Sequence, residues 1–123
     1  MSDMETIEAD SILNWVKTKL GAEGDYDPFD HDILTEINTA LSTIFQVGAG
    51  DSSYRIDTAE ETWDEFYEST GLKNKHILEM VKEYVFLSTK INFDPPESSY
   101  ATDNLVKKKD ELEWRIKFEE DYL

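Results

Sequence analysis

The sequence has no cysteine, few basic residues and no long apolar run. Without cysteine the chain has neither disulfides nor a thiolate nucleophile, which suits a reducing compartment. No stretch approaches the ~20 apolar residues of a transmembrane helix. The first ten residues are acidic and lack the basic start and apolar centre of a secretion signal. We therefore expect a soluble intracellular protein without membrane contact, with one domain spanning residues 1–123.

Basic charge is scarce and unevenly placed. The chain has 28 acidic and 12 basic residues and a formal net charge of -16. Residues 1–68 contain 17 acidic and 3 basic residues, whereas residues 69–123 contain 11 and 9. A field of this sign repels phosphates and disfavours binding to a nucleic acid duplex. It is typical either of a solvated acidic surface, or of a surface that passes DNA without holding it or docks on a basic partner.

Apolar residues recur at helical spacing along most of the chain, and no convincing strand pattern occurs. The class predicted is all-α: a small bundle of about four to five helices with a long loop and an extended C-terminal helix. The predicted helices span residues 11–20, 31–47, a short segment ending at 67, 75–92 and 99–119. The helix over 75–92 is apolar nearly all round, which is typical of a central helix. Residues 1–10 and 118–123 are expected to be flexible.

Capping residues set the predicted helix boundaries. Asp10 and Asp30 are the expected N-caps of the first two helices, and Gly21 is the expected end of the first. The short helix has two candidate capping boxes, and the sequence leaves the choice open. These are Thr58 with Glu61 and Thr62 with Glu65. Within the short helix, Trp63 and Phe66 are the expected anchors to the body.

Two consecutive prolines separate the last two long helices. Pro95 and Pro96 lack backbone donors and push the residue before each of them away from helical angles. Ser98 and Ser99 follow and are good N-caps for a new helix. The segment Phe93, Asp94, Pro95, Pro96, Ser98 and Ser99 is therefore predicted to be a rigid corner.

Two helix faces look suited to contacts with other proteins. The helix over 31–47 has a polar but uncharged face made of Asn38, Thr39, Ser42, Thr43 and Gln46. Exposed faces normally carry Lys and Glu, so this face is either a chance occurrence or is sequestered against another subunit, because neutral groups cost less to bury than charges.

The C-terminal helix carries two stripes on roughly opposite sides. One contains Leu105, Leu112, Ile116 and Leu123, and the other contains Trp114, Phe118 and Tyr122. A small bundle covers only one of them, and aromatic residues are favoured interface anchors. We therefore assign Trp114, Phe118 and Tyr122, with the adjacent Arg115, to a partner or oligomer interface. The open alternative is a frayed tail after Lys117, because the acidic end opposes the helix dipole.

The sequence offers little for catalysis. The two histidines, His31 and His76, are expected at the surface, and the segment 48–50 lacks the lysine and hydroxyl residue of a phosphate-binding loop. Asp25, Asp27 and Glu36 partly match a calcium loop, but Phe29 stands where a further ligand is needed. We expect no enzyme activity, no cofactor and no metal site.

Several segments together resemble the head–tail connector proteins (head-completion or adaptor proteins) of long-tailed bacteriophages. The resemblance covers most of residues 10–118. It rests on Phe93-Asp94-Pro95-Pro96 with Ser98-Ser99, Glu111-Leu112-Glu113-Trp114-Arg115, Thr62-Trp63-Asp64-Glu65-Phe66, Phe29-Asp30-His31-Asp32-Ile33, Ile37-Asn38 and Gln46-Val47-Gly48-Ala49-Gly50.

This resemblance implies a structural virion protein made in the host cytoplasm and located at the neck. Such proteins form a homo-oligomeric ring, usually dodecameric, beneath the portal protein. The ring extends the DNA channel and provides the surface for a neck or tail-completion protein. The resemblance also implies that 93–99 aims the last helix, that this helix reaches toward the portal, and that 62–66 braces the long loop.

A ring would concentrate the acidic charge around its channel. Asp25, Asp27, Asp30 and Asp32 are the candidates for facing this channel, where they would repel DNA phosphates during passage. Two other functions stay open from the residues alone. One is an acidic DNA mimic or inhibitor bound to a basic nucleic-acid-binding protein, and the other is a small enzyme that uses carboxylates alone.

Overall fold

The computed structural model describes residues 10–21 and 29–122, and these form five helices with no β-strand among them. We number them α1 (Ile12–Leu20), α2 (Asp30–Gln46), α3 (Trp63–Thr70), α4 (Lys75–Phe93) and α5 (Ser99–Tyr122). The predicted all-α class is therefore confirmed. Of the segments expected to be flexible, residues 1–9 and Leu123 lie outside the described residues.

The N-cap of α1 is Ser11, whereas the sequence predicted Asp10. The Ser11 hydroxyl accepts a hydrogen bond from the Asn14 amide at 3.3 Å. The Asp10 carboxylate instead accepts from the Asp64 amide at 3.0 Å, in the first turn of α3. Gly21 ends the helix at φ 81, as predicted. The Asp10 prediction failed because a helix distant in sequence offers the carboxylate another free donor.

The prediction that Asp30 caps α2 is also wrong. Phe29 occupies the cap position and makes no side-chain cap bond. Asp30 is the first helical residue, and its carboxylate lies 2.9 Å from the ammonium of buried Lys17. This ion pair ties the start of α2 to α1. An acidic group in the first turn also suits the helix dipole.

The two candidate capping boxes before α3 are both used, for different purposes. Thr62 caps the helix, because its hydroxyl accepts from the Glu65 amide at 3.1 Å. Thr58 and Glu61 instead close a turn, in which the amide and hydroxyl of Thr58 both donate to the Glu61 carboxylate. The helix then continues to Thr70, three residues beyond the predicted end.

Helix α4 is the central helix, as predicted from its apolar surface. It packs along both α2 and α5, and it also contacts α1. Its buried residues include Ile77, Val81, Tyr84, Val85 and Leu87. Helices α2 and α5 each cover part of α4 with one face and leave another face turned outward.

The short helix α3 contributes two large rings to the core. Trp63 and Phe66 are almost fully buried. Trp63 packs edge-to-face against Trp15 of α1 and against Phe66, with centroid distances of 5.6 and 5.7 Å. An edge-to-face pair adds about 0.5–1.5 kcal/mol beyond its buried area.

The double-proline corner joins α4 and α5. Helix α4 ends at Phe93, and α5 begins at Ser99. The Ser98 hydroxyl accepts from the Ala101 amide at 3.0 Å and so caps α5. Phe93 also packs edge-to-face against Phe29 at 5.8 Å.

Candidate functional site

Three aromatic side chains form a continuous exposed row on α5, which we call the aromatic ladder. It consists of Trp114, Phe118 and Tyr122, whose exposed fractions are 65, 40 and 74%. Their spacing of four residues places each ring next to the following one. The Trp114 and Phe118 rings are stacked at 5.3 Å, and the Phe118 and Tyr122 rings lie 5.2 Å apart. The large exposed rings are a pre-ordered apolar surface.

The opposite face of α5 holds the helix on the body. Leu112 and Ile116 are buried, and Leu105 is half-buried against the core. Lys109 lies over the Tyr84 ring at 5.5 Å. Burial first, and then the nearby Glu113 carboxylate, raise the pKa of Tyr84. The first of the two predicted stripes is therefore covered by α4, apart from Leu123, which lies outside the described residues.

The end of α5 is fixed to the body by consecutive carboxylates, although the sequence left a frayed tail open. Glu119 lies 3.3 Å from His76, and Glu120 accepts from the Gly50 amide at 3.2 Å. Lys117 and Asp121 form an ion pair at 2.9 Å within the last turns. The helix continues through Tyr122, so the whole ladder is helical.

A groove lies between the outward face of α2 and residues 55–57, and we call it the threonine groove. Its volume is about 420 Å³. The Asn38 side chain fixes one wall, because its amide group donates to the Ile56 carbonyl at 2.7 Å and accepts from the Ile56 amide at 2.8 Å. The groove is lined by Thr35, Thr39, Ser42, Thr43 and Gln46 of α2, and by Arg55, Ile56 and Asp57.

The sequence singled out the α2 side of this groove only as an uncharged helix face, and it gave no sign of the side formed by residues 55–57. Thr39, Thr43 and Gln46 lie in it as an uncharged set on one helix face. Nothing in the local pattern indicated that Arg55, Ile56 and Asp57 lie beside them. The only available signal was Asn38, whose side chain matches the donor and acceptor of an extended backbone.

The threonine hydroxyls of the groove already donate hydrogen bonds to carbonyl groups of α2. Thr35, Thr39 and Thr43 each donate to the carbonyl four residues earlier in α2, at 3.0 Å. A hydroxyl has one donor and two acceptor lone pairs. The groove therefore presents mainly hydrogen-bond acceptors along this row.

The acidic residues assigned to a channel are placed differently from one another. Asp30 forms the ion pair with Lys17, so its charge is locally compensated. Asp32 is exposed on α2. Asp25 and Asp27 lie outside the described residues. In the part of the chain that the structure describes, no helix is long and apolar enough to cross a membrane, and no cluster of three metal-ligating side chains occurs.

The chain matches the family model described as phage connector protein over residues 12–123. The match includes all five helices, both surfaces and the double-proline corner. No curated protein and no solved structure matches the chain.

Proposed function

This chain belongs to the phage connector protein family, whose role is structural, at the head–tail connector. From that premise we propose that it is the subunit of a homo-oligomeric ring, dodecameric in the virion. The ring docks under the portal protein, extends the DNA channel and offers its far side to a neck or tail-completion protein. The subunit is made in the host cytoplasm and ends at the neck of the particle.

The aromatic ladder is the observation that carries the proposal. A monomer that functioned alone would leave these three stacked rings in water, although aromatic residues contribute most when an interface desolvates them. The helix that carries them is fixed at both ends, by the Ser98 cap and by the Glu120 contact. Association therefore meets a pre-ordered surface, which lowers its entropic cost.

The acidic charge fits a passage for DNA. Each subunit contributes a formal charge of -16, and a ring multiplies that charge by its subunit number. A channel lined with one sign of charge focuses its field inward and repels phosphates of the same sign. Asp25, Asp27 and Asp32 are proposed to face the channel. Asp30 is left out because Lys17 compensates it.

Native mass spectrometry tests the proposed assembly. The purified chain is measured alone and with the portal protein and neck proteins of the same phage. A closed ring or a stoichiometric complex with the portal is expected. A monomer that binds neither partner would overturn the proposal. Salt-sensitive binding of that monomer to a basic nucleic-acid-binding protein would support the DNA-mimic alternative instead.

The channel role has its own test. We expect the combined substitutions Asp25→Asn, Asp27→Asn and Asp32→Asn to leave ring assembly intact but to increase DNA retention by the ring and slow ejection from assembled particles. The matched control neutralises Glu60, Glu68 and Glu97, which are exposed elsewhere on the subunit. Normal ejection together with unchanged DNA binding would refute the acidic channel while leaving the ring in place.

A further inference from the structure

The threonine groove and the aromatic ladder lie on two different helices of the same subunit, α2 and α5, which both pack on α4. The groove is on the face of α2 that points away from α4, and the ladder is on the face of α5 that points away from α4. Ile37 and Ile44 mark the covered side of α2, and Leu112 and Ile116 mark that of α5. The ladder rings are exposed in the subunit, so they do not occupy its own groove.

The two surfaces have complementary hydrogen-bonding groups. The groove offers acceptor lone pairs on Thr35, Thr39 and Thr43, because their protons are used within α2. The ladder offers an indole N–H on Trp114 and a hydroxyl on Tyr122, and both side chains are mostly exposed. An indole N–H is a donor only, so it requires an acceptor when an interface buries it.

The apolar parts also match. Leu34, Ile56 and the threonine methyl groups supply apolar lining, and exposed Arg55, which pairs with Asp57 at 3.1 Å, also lines the groove. Aromatic rings pack on methyl groups, and an exposed arginine can stack on an aromatic face. A mixed groove of this kind suits Trp and Tyr better than it suits a purely aliphatic segment.

We infer that the aromatic ladder of one subunit occupies the threonine groove of the next subunit in the ring. This inference rests on the proposed function and names the partner of both surfaces as a second copy of this chain, not the portal protein. Because the donor surface and the acceptor surface differ, the contact is heterologous. Such a contact leaves one groove and one ladder free on every dimer, so it continues until a ring closes.

Site-directed cross-linking tests the contact directly, because the natural chain contains no cysteine that would react. One variant carries Ser42→Cys in the groove, and another carries Glu111→Cys beside the ladder. A short bismaleimide is added to each variant alone and to their mixture, both as free protein at high concentration and in the complex with the portal protein. The mixture is expected to give a heterodimer, and each variant alone is expected to give at least about tenfold less dimer.

A double variant with both cysteines extends this test, because a heterologous contact predicts a series of dimer, trimer and larger products. The matched control pairs Glu111→Cys with Ser69→Cys, which is exposed on α3 outside both surfaces, and is expected to stay monomeric. Efficient self-linking of either single variant would indicate a two-fold symmetric contact and overturn the inference. So would cross-linking of Glu111→Cys to the portal protein.

Failure of this inference is distinguishable from failure of the proposed function. If native mass spectrometry shows a portal-bound ring in which the two cysteines do not cross-link, the ladder-in-groove contact is wrong and the ring stands. If no assembly forms under any of these conditions, the ring itself is refuted.

Discussion

The Lys17 ammonium lies 2.9 Å from the Asp30 carboxylate, and the Lys17 side chain is only 3% exposed. This pair joins the last turn of α1 to the first turn of α2 across a segment outside the described residues. A buried charge that loses its partner retains its desolvation cost, so a substitution that removes only one member of the pair should destabilise the fold strongly.

Lys17→Met should therefore lower the free energy of unfolding by about 3 kcal/mol, measured by urea denaturation. The double variant Lys17→Met, Asp30→Leu should recover part of the loss, because it removes both charges. The control is Lys90→Met, which breaks the more exposed pair between Lys90 and Asp94. That change should cost less than about 1 kcal/mol. Equal losses for Lys17→Met and Lys90→Met would contradict this account.

Gly50 is expected to be the least replaceable glycine in the described part of the chain. Its φ is +83, and an added Cβ would meet the Thr70 carbonyl oxygen at 2.5 Å. Gly21 has a similar φ of +81 but nothing within 4 Å of an added Cβ. Gly21→Ala should thus cost about 1 kcal/mol through conformation alone, and Gly50→Ala clearly more. Thermal unfolding of the two variants measures the difference, and equal midpoints would show that the contact with Thr70 is unimportant.

Local periodicity predicted most of the fold because each helix buries one stripe against a common core. Helix α4 read as central because Ile77, Val81 and Tyr84 lie on one face while Leu78 and Phe86 extend the apolar surface around it. The ladder was predictable for the same reason, because Trp114, Phe118 and Tyr122 repeat every four residues away from the buried stripe. Both are properties of one segment and need no knowledge of its neighbours.

The features that the sequence did not predict all depend on a distant partner. The carboxylates of Asp10 and Asp30 could each cap a helix. Instead, Asp10 accepts a hydrogen bond from the Asp64 amide, and Asp30 forms an ion pair with Lys17. The second wall of the groove depends on the bond between Asn38 and Ile56, 18 residues apart. The fixed end of α5 depends on Glu120 reaching Gly50, 70 residues away. No periodicity within a segment carries these pairings.

The Glu61 carboxylate should stabilise the fold at pH values above the ordinary pKa of a carboxyl group. Burial acts to raise its pKa, but hydrogen bonds from Thr58 and from the backbone of Asp57 and Thr58 together outweigh burial and hold the pKa below 4.5. The stabilisation is therefore present above that pH and is lost as pH falls through the lowered pKa. Because the group is only partly buried, Glu61→Gln should cost no more than about 1 kcal/mol at neutral pH.

Urea denaturation across the acidic range checks the sign of this effect. The difference between the natural protein and Glu61→Gln should shrink as pH falls below 4.5. Glu60→Gln is the neighbouring control, since the Glu60 side chain is exposed. A loss for Glu61→Gln that is independent of pH would show that the carboxylate charge plays no part.

Glu120 should change the stability of the fold with pH in the direction opposite to Glu61. Burial, aided by the Asp51 charge, raises its pKa above 4.5 despite the contacts with Gly50 and Lys73. A raised carboxyl pKa means that the folded state binds the proton more tightly, so stability falls as pH rises through the raised pKa. Glutamine keeps an acceptor for the Gly50 amide without the charge. Glu120→Gln should thus equal the natural protein at low pH and match or exceed its stability at neutral pH. The control is Glu111→Gln, because Glu111 is exposed. A Glu120→Gln variant that is less stable than the natural protein only at neutral pH would contradict the raised pKa of Glu120.

Trp114 and Ile116 are two residues apart on α5 but should separate assembly from folding. Ile116 is fully buried, so Ile116→Ala should cost about 2–5 kcal/mol of unfolding free energy. Trp114 is mostly exposed and loses only its stack on Phe118, so Trp114→Ala should cost no more than about 1.5 kcal/mol of unfolding free energy.

In native mass spectrometry with the portal protein, however, Trp114→Ala should abolish the ring, because a central aromatic anchor commonly supplies more than about 2 kcal/mol to each contact. Tyr100→Ala is the control, since Tyr100 is equally exposed on α5 but lies outside the ladder. A Trp114→Ala variant that assembles normally would place the interface elsewhere on the subunit.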